Sequence, residues 1–425
     1  MAERSSRIDD TQLAQRAVEF GIASPREVRA LLERARASDP PTPLLELLVA
    51  EHLLPAREAE RLARGEPLAP PPPPPPETAL PERFEDLLGW LLTETRHDEL
   101  WLPPGSPPLA RCGEHLQPLA PTPVAAETLH DWQLACFGAG GLAPLAGGRT
   151  ITRWIVHPAG RVRVWLTPAE AGPTLRLVPL RPLPDRLPHR LPPAVARLAH
   201  LPRGLVVLAS ARRALRRQAL TEMIEVLAHN RAVHVVVIEP TLRVALPSER
   251  ALVVQREVGL HAASYAGALA SALRQDPDVI VVSELREPDA MATAVQAAET
   301  GHLVICSVHG TDPEQTVRHL VDVQSHTRRD LVRVALAASL QAVAALDEVC
   351  DLEGQPHWIA DVLPRSEALV RLLREDRLHQ LETVSPSALG RVAGDEQVLQ
   401  LLRAQRIGRL EALAHLRATP LAPRP

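Results

Sequence analysis

The pattern of apolar and polar positions changes period near residue 203. From there, continuous apolar runs alternate with segments of helical spacing. GLVVLA (204–209) is followed by a helix over Gln218–Leu227, with Ala219, Leu220, Met223, Ile224 and Leu227 on one stripe. HVVVIE (234–239), a helix across Tyr265–Arg274, VIVVSE (279–284), a helix over Pro288–Glu299 and HLVICS (302–307) come next. Unbroken apolar runs of this length are strands buried on both faces, and their alternation with helices predicts a parallel sheet in an α/β fold. The Ala-rich stretch Val334–Leu346 reads as a buried helix. Residues 351–425 read as mostly helical, apart from the strand run HWIADVL (357–363).

Upstream the pattern is mixed. Arg83–Leu92 has amphipathic helical spacing, and ELWL (99–102) is a short strand ended by PPGSPP. RVRVWL (161–166) and TLRLVPL (174–180) alternate as a strand pair. Together they predict a small α+β domain, with Trp90, Trp101, Trp154 and Trp165 as its core anchors. Before it, 9–65 is helical and duplicated: AVEFGIASPREVRALL (17–32) echoes LVAEHLLPAREAERLA (48–63). Ser24, Pro25 and Glu27 form a helix start of cap, first-turn proline and acid. Pro70–Pro76 is an unbroken proline run, and Pro67–Glu77 reads as an extended linker. A docking ligand for a proline-binding domain is the other reading of that run. The expected organisation is a helical module (1–66), a linker (67–80), an α+β domain (81–190), an α/β core (191–350) and a helical C-terminal lobe (351–425).

Composition narrows the chemistry. Lys plus Arg number 47 against 51 Asp plus Glu, a formal charge of -4, which disfavours a general nucleic-acid binder. All 47 of those cations are arginine. A site that needs a lysine ammonium is therefore excluded. Cys112, Cys136, Cys306 and Cys350 form no C-x-x-C pair, so neither a metal ribbon nor a disulfide framework is expected. The polar N-terminus and the lack of an apolar run of about 18 residues predict a cytoplasmic protein without a membrane span.

Carboxylates at the C-terminal ends of parallel strands face the ligand edge of such a sheet. Glu239 ends the second strand, Glu284 ends the third, and His309 lies two residues past the fourth. A nucleotide hydrolase uses this layout: one acid polarises magnesium and water, and a polar neighbour senses the γ-phosphate. Helix caps and surface ion pairs use the same residues.

QREVGL (255–260), ALRQDPDVIVVSELRE (272–287) and AAETGHLVICSVHG (297–310) resemble the PilT/GspE-type secretion and type IV pilus motor ATPases. The resemblance implies a RecA-like core preceded by a PAS-like domain, whose first segment HDELWLPPGSPPLARCGEHLQPL (97–119) matches. LVRLLREDRL (369–378) is similar to the family's C-terminal helices, and 9–65 to the helical module that precedes GspE-type motors. Some such modules bind cyclic di-GMP through an Arg-Leu-Gly segment. Thr42-Pro43-Leu44-Leu45 stands there, so that binding is not expected. The resemblance places Glu284 on the glutamate of the second nucleotide motif and Glu239 on the first acid of the aspartate box. His302 and His309 fall on the histidine box. IEPTLR (238–243) departs from the box pattern I-E-D-P-I-E at Pro240 and Arg243.

The phosphate loop departs further. Where the family has G-x-x-x-x-G-K-[ST], this chain has SARRALRR (210–217). Ser210 and Leu215 replace the glycines, Arg216 the lysine and Arg217 the magnesium-ligating hydroxyl residue. Arg212, Arg213, Arg216 and Arg217 crowd one and a half turns, against both each other and the helix dipole. A drifted loop, an anion or acidic-partner patch, and residual ATP binding are the three readings of this window. The function expected is a cytoplasmic, hydrolysis-deficient assembly or regulatory subunit of a pilus or type II secretion-like machine. It would join an active motor's hexameric ring at the inner-membrane platform. The alternative is an ATP-hydrolysing motor with an altered loop, needing ATP and magnesium. No resident metal site is expected.

Overall fold

A computed structural model of the chain describes residues 80–112, 115–184 and 190–416, two N-terminal helices, and a few single positions between 10 and 59. Ser24 and the proline linker Pro67–Glu77 lie outside the described residues. The N-terminal helices are α1 (Pro25–Ala37) and α2 (Leu44–Ala50).

The first sheet holds β1 (Glu99–Leu102), β2 (Leu109–Cys112), β3 (His115–Pro118), β4 (Ile151–His157), β5 (Gly160–Thr167) and β6 (Thr174–Pro182). These run antiparallel in the order β3-β2-β1-β6-β5-β4. Strand alternation divides their side chains between two faces. Leu100, Val162, Val164, Leu166, Leu175 and Leu177 point toward helices α3 (Phe84–Thr93) and α4 (Ala126–Gly141) and form a core with Leu87, Leu91 and Trp132. Trp90 packs at the edge of that core, as expected.

The other three tryptophans do not. Trp101, Trp154 and Trp165 lie on the opposite face, interleaved with arginines. The Arg163 guanidinium lies 5.6 Å from the Trp154 ring and 5.4 Å from Trp165, and Arg176 lies 4.9 Å from Trp165 and 4.8 Å from Trp101. Each is within cation–π range. Alternation in RVRVW decides this: valines take the helix side, so arginine and tryptophan share the other.

The second sheet contains β7 (Gly204–Ser210), β8 (His234–Glu239), β10 (Leu252–Glu257), β11 (Val279–Val282), β12 (Leu303–His309), β13 (Leu340–Cys350) and β14 (Pro356–Pro364). Its order is β10-β8-β11-β12-β7-β13-β14, parallel except for the last strand. The two-residue strand β9 (Val244–Ala245) leaves this sheet and pairs in parallel with β6. Helix α5 (Arg213–Asn230) covers one face, where Leu220, Met223, Ile224 and Leu227 meet Val206, Leu208, Val235 and Ile305. Full burial of such a side chain is worth about 1.5–3 kcal/mol. Helices α6 (Tyr265–Leu273), α7 (Pro288–Glu299), α8 (Pro313–Asp322) and α9 (His326–Ser339) cover the other. No helix among the described residues is long and apolar enough to cross a membrane.

Several boundaries differ from the sequence reading. The Ala-rich Val334–Leu346 is not one helix: α9 stops at Ser339 and the chain turns directly into β13, which pairs with β7 at Val343↔Val207. Alanine favours helix in isolation, but a strand slot beside β7 buries Ala342, Ala344 and Ala345 almost completely. The sheet therefore continues through residue 350, where the C-terminal lobe was drawn. Helix α5 starts at Arg213, five residues before the apolar stripe announced it. His309 is the last residue of β12 rather than a loop residue beyond it.

Helices α10 (Glu367–Arg374), α11 (Gly394–Arg403) and α12 (Arg409–His415) complete the described chain. Leu410 of α12 shares a cluster with Leu44 and Leu48 of α2, so the C-terminal helix joins the N-terminal module to the β13–β14 hairpin. The joint is ionic on its other side. His415 Nδ1 lies 2.6 Å from Asp347 Oδ2, and its Nε2 lies 3.6 Å from Glu411. Burial opposes the imidazolium, but Asp347 and Glu411 outweigh it and raise His415 to about 9. A raised histidine stabilises the fold fully below its unfolded value of 6.5 and loses that contribution as pH rises through about 9. Amide exchange in 409–415 should therefore accelerate between pH 6 and pH 9.5 beyond the intrinsic rate increase. His415→Gln should exchange fast at both. A wild-type segment equally protected at both pH values contradicts the pairing.

Candidate functional site

Parallel strands deliver their last residues to one edge of the second sheet. Ser210 ends β7, Glu239 ends β8, His309 ends β12, and Glu284 follows β11 by two residues. The strand order β8-β11-β12-β7 sets Glu239, Glu284, His309 and Ser210 side by side, with His309 paired to Ser210 in the ladder. The structure thus gathers these four. It does not bring in His302, which precedes β12 at the opposite edge, roughly 20 Å away at the rise of a strand. There His302 Nδ1 contacts the Ala297 carbonyl at 3.0 Å, closing the end of α7. Beyond His309, Gly310 is required by space: a Cβ there would sit 2.8 Å from Thr316 Oγ1.

The 210–217 window does not form an open loop. Only Ala211 and Arg212 link β7 to α5. None of these eight residues has positive φ, the conformation glycines supply in a phosphate cradle. The Arg212 N–H donates to Ser210 Oγ at 3.2 Å. Arg216, buried in the first turn, turns its guanidinium back onto the Ser210 carbonyl and reaches the Ala211 carbonyl at 3.3 Å. Those arginines that look mutually repulsive in sequence are distributed to acids far along the chain. Arg212 pairs with Glu348 at 3.1 Å. Arg213 reaches Glu284 at 3.1 Å, Arg286 reaches it at 3.4 Å and Arg216 at 3.9 Å.

Glu239 has a different environment. It accepts from Gln255 Nε2 at 3.3 Å beneath Arg217 and Arg243. Burial pushes its carboxyl up to about 7, against the pull of that hydrogen bond and the two arginines. Burial also lowers Arg217. Arg213, Arg217, Glu239, Arg243, Ser283 and Glu284 line the space that remains, a cavity of about 20 Å³. That is room for one water. The Ser283 and Tyr265 side chains are buried beside this space, and burial raises the Tyr265 hydroxyl.

Sequence reasoning missed Arg243 as a functional position and read it only as a departure. It leaves the strand edge, donates to Glu99 Oε2 at 3.0 Å and reaches the Asp98 carbonyl at 3.3 Å, both on the first sheet. Its unusual place in an otherwise acidic box was the available signal. Among the described residues, no cluster of His, Cys, Asp or Glu is arranged to hold a metal.

Residues 193–405 match the family model described as type II/IV secretion system protein. The chain is 33% identical over 217 residues to a twitching motility protein of Neisseria gonorrhoeae, covering 50% of this chain and 58% of that one. It is 28% identical over 338 residues to the type IV pilus ATPase PilU of Pseudomonas aeruginosa, covering 78% and 88%. In fold it is similar to a crystal structure of the pilus retraction motor PilT with bound ADP, with a TM-score of 0.65 at 23% identity over 79% of this chain and 97% of that one. Of the Neisseria relative, the chain spans less than two thirds of the length. With the RecA-like sheet, the gathered strand-end residues and the matched segment together, the chain belongs to the type II/IV secretion system protein family, among the PilT/GspE-type secretion and pilus motor ATPases.

Proposed function

We propose that this chain is a hydrolysis-deficient assembly or regulatory subunit of a type IV pilus or type II secretion-like machine. It works on the cytoplasmic side, in a ring with an active motor homologue, against the inner-membrane platform. The observation that carries the reading is the fate of Glu284. The acid that polarises magnesium and water in such a site is here tied to Arg213, Arg216 and Arg286. The family implies ATP and magnesium at this edge, and the residues present do not fit them. From Arg213 onward the 210–217 window is helix, and no residue of it has the positive φ of a glycine cradle. The Arg216 guanidinium, at the lysine's place, turns back onto the Ser210 and Ala211 carbonyls. Arg217 stands where a hydroxyl would ligate the metal. Arg213, Arg216, Arg217 and Arg243 crowd the space beside Glu239 and Glu284 where a magnesium–phosphate group would sit.

An ATP-hydrolysing motor with an altered loop is the second reading, favoured by Glu284, Glu239 and His309 meeting at one edge. Phosphoryl transfer depends almost wholly on positioning and on stabilising charge in the transition state. Steady-state assays decide between the two. Magnesium-dependent ATP hydrolysis by the full chain should not exceed that of Glu284→Gln. Turnover on the order of 1 s⁻¹ that the substitution abolishes would establish the motor reading instead.

Glu239 supplies an independent check. A carboxyl titrating near 7 is a poor ligand for magnesium, since half of it is neutral at that pH. Its folded value is raised above the ordinary carboxyl value of 4.5. The group therefore costs nothing below pH 4.5, and stability falls as pH rises from 4.5 to about 7, because only the unfolded chain releases the proton. Urea midpoints should show Glu239→Gln gaining on the wild type between pH 5 and pH 8. A constant difference across that range shows that Glu239 is ionised throughout.

A further inference from the structure

We infer that Arg243 is an interdomain latch: bound to Glu99, it fixes the two sheets as one rigid body and closes the strand-end cavity. This goes beyond the proposed loss of hydrolysis and does not depend on it.

The joint has three separate parts. First, the backbone crosses it. The Arg181 N–H donates to the Arg243 carbonyl at 2.8 Å, and β9 adds to the first sheet beside β6 at Arg181↔Val244. Second, Glu99 on β1, itself almost fully buried, collects three arginines. Arg111 reaches it at 2.7 Å from β2, Arg176 from β6, and Arg243 at 3.0 Å from the second sheet. Burial alone would raise this carboxyl, but Arg243 and Arg176 hold it down at about 2. Third, Arg163 on β5 meets Glu257 at the end of β10 at 2.7 Å, with side chains 2% and 1% exposed. The Leu242 N–H also donates to Glu257 at 3.2 Å, so the loop that carries Arg243 is held from both ends.

These contacts explain the tryptophan–arginine face of the first sheet. Around Arg163 and Trp165 it is a buried joint, while Val156 and Arg161 at the β4 edge stay exposed. The rings of Trp154 and Trp165 flank Arg163, and those of Trp101 and Trp165 flank Arg176, which holds each guanidinium flat and aimed at the carboxylates. A charge buried in such a joint must keep its partner, because an orphaned one is expensive. Sliding or rotating one sheet against the other breaks two such pairs and the β6–β9 ladder together. Arg243 also forms a wall of the strand-end cavity with Arg217 and Glu239. The cavity opens on that side only when Arg243 leaves Glu99.

The test is amide hydrogen exchange on the full chain, comparing wild type, Arg243→Gln, Glu99→Gln and the double variant. Arg243→Gln is the informative single change, since Glu99 keeps Arg111 and Arg176 and is not left unpaired. The latch predicts exchange about tenfold faster in 240–246 and 178–182, with β7, β11 and β12 unchanged. Arg243→Gln should add little to Glu99→Gln, as expected for two members of one contact. Loss of protection spread equally over all strands would overturn the latch in favour of a general stability role. So would protection within twofold of wild type in 240–246. Glu257→Gln tests the second attachment separately and should loosen the same two segments. If it loosens neither, the rigid joint is refuted.

Discussion

A carboxylate that ends a buried parallel strand must be neutralised close by, because the sheet on one side and covering helices on the other leave it little water. Two acids at the edge of the second sheet meet this constraint with arginine. Glu284 takes Arg213, Arg216 and Arg286, and Glu257 takes Arg163. Glu239 meets it differently, by retaining its proton. In a chain whose 47 cations are all arginine, the planar fork is the only tool available, and it stacks on tryptophan as a lysine ammonium does less well. Closure of the strand-end space and the docking of the two sheets both follow from this pairing.

The fold was legible where burial is two-sided. Runs such as VIVV and HVVVIE have no polar face, so β8 and β11 are unmistakable as central strands of a parallel sheet. Legibility failed where a strand lies at an edge or is built from small residues. LVVQRE forms the edge strand β10, whose polar positions mask its period. LQAVAALDEVC forms β13 from alanines, which locally prefer helix. Its strand identity comes from the slot beside β7, a tertiary fact. The α5 boundary was hidden for the opposite reason. Four arginines suggested a loop, yet Arg212, Arg213 and Arg216 pair with acids or carbonyls once the helix forms.

The site was legible as a set of positions and illegible as a set of partners. Spacing from the strand ends picked out Glu239, Glu284 and His309 and correctly put them on one edge. The family resemblance also admitted His302, because a motif in one dimension does not say which end of a strand a residue occupies. The partners lie far along the chain. Arg212 meets Glu348, and Arg243 meets Glu99, across separations of 136 and 144 residues. No local pattern reports such a pair. For the same reason Trp101, Trp154 and Trp165 looked like core anchors, when they stack with arginines on the other face of their sheet.

The two-residue link between β7 and α5 bears on reversibility. Restoring lysine at 216 and threonine at 217 would supply the side chains without the turn ahead of them, since no residue of 210–217 has positive φ. Glycines at 210 and 215 would have to unwind the present helix start first, removing the Arg216 contacts that now close it. The change is thus easy to enter by single substitutions and hard to leave by them, because no intermediate has both a supported helix start and an anion cradle. Backbone geometry, more than side-chain identity, therefore sets how this strand-to-helix link can be altered.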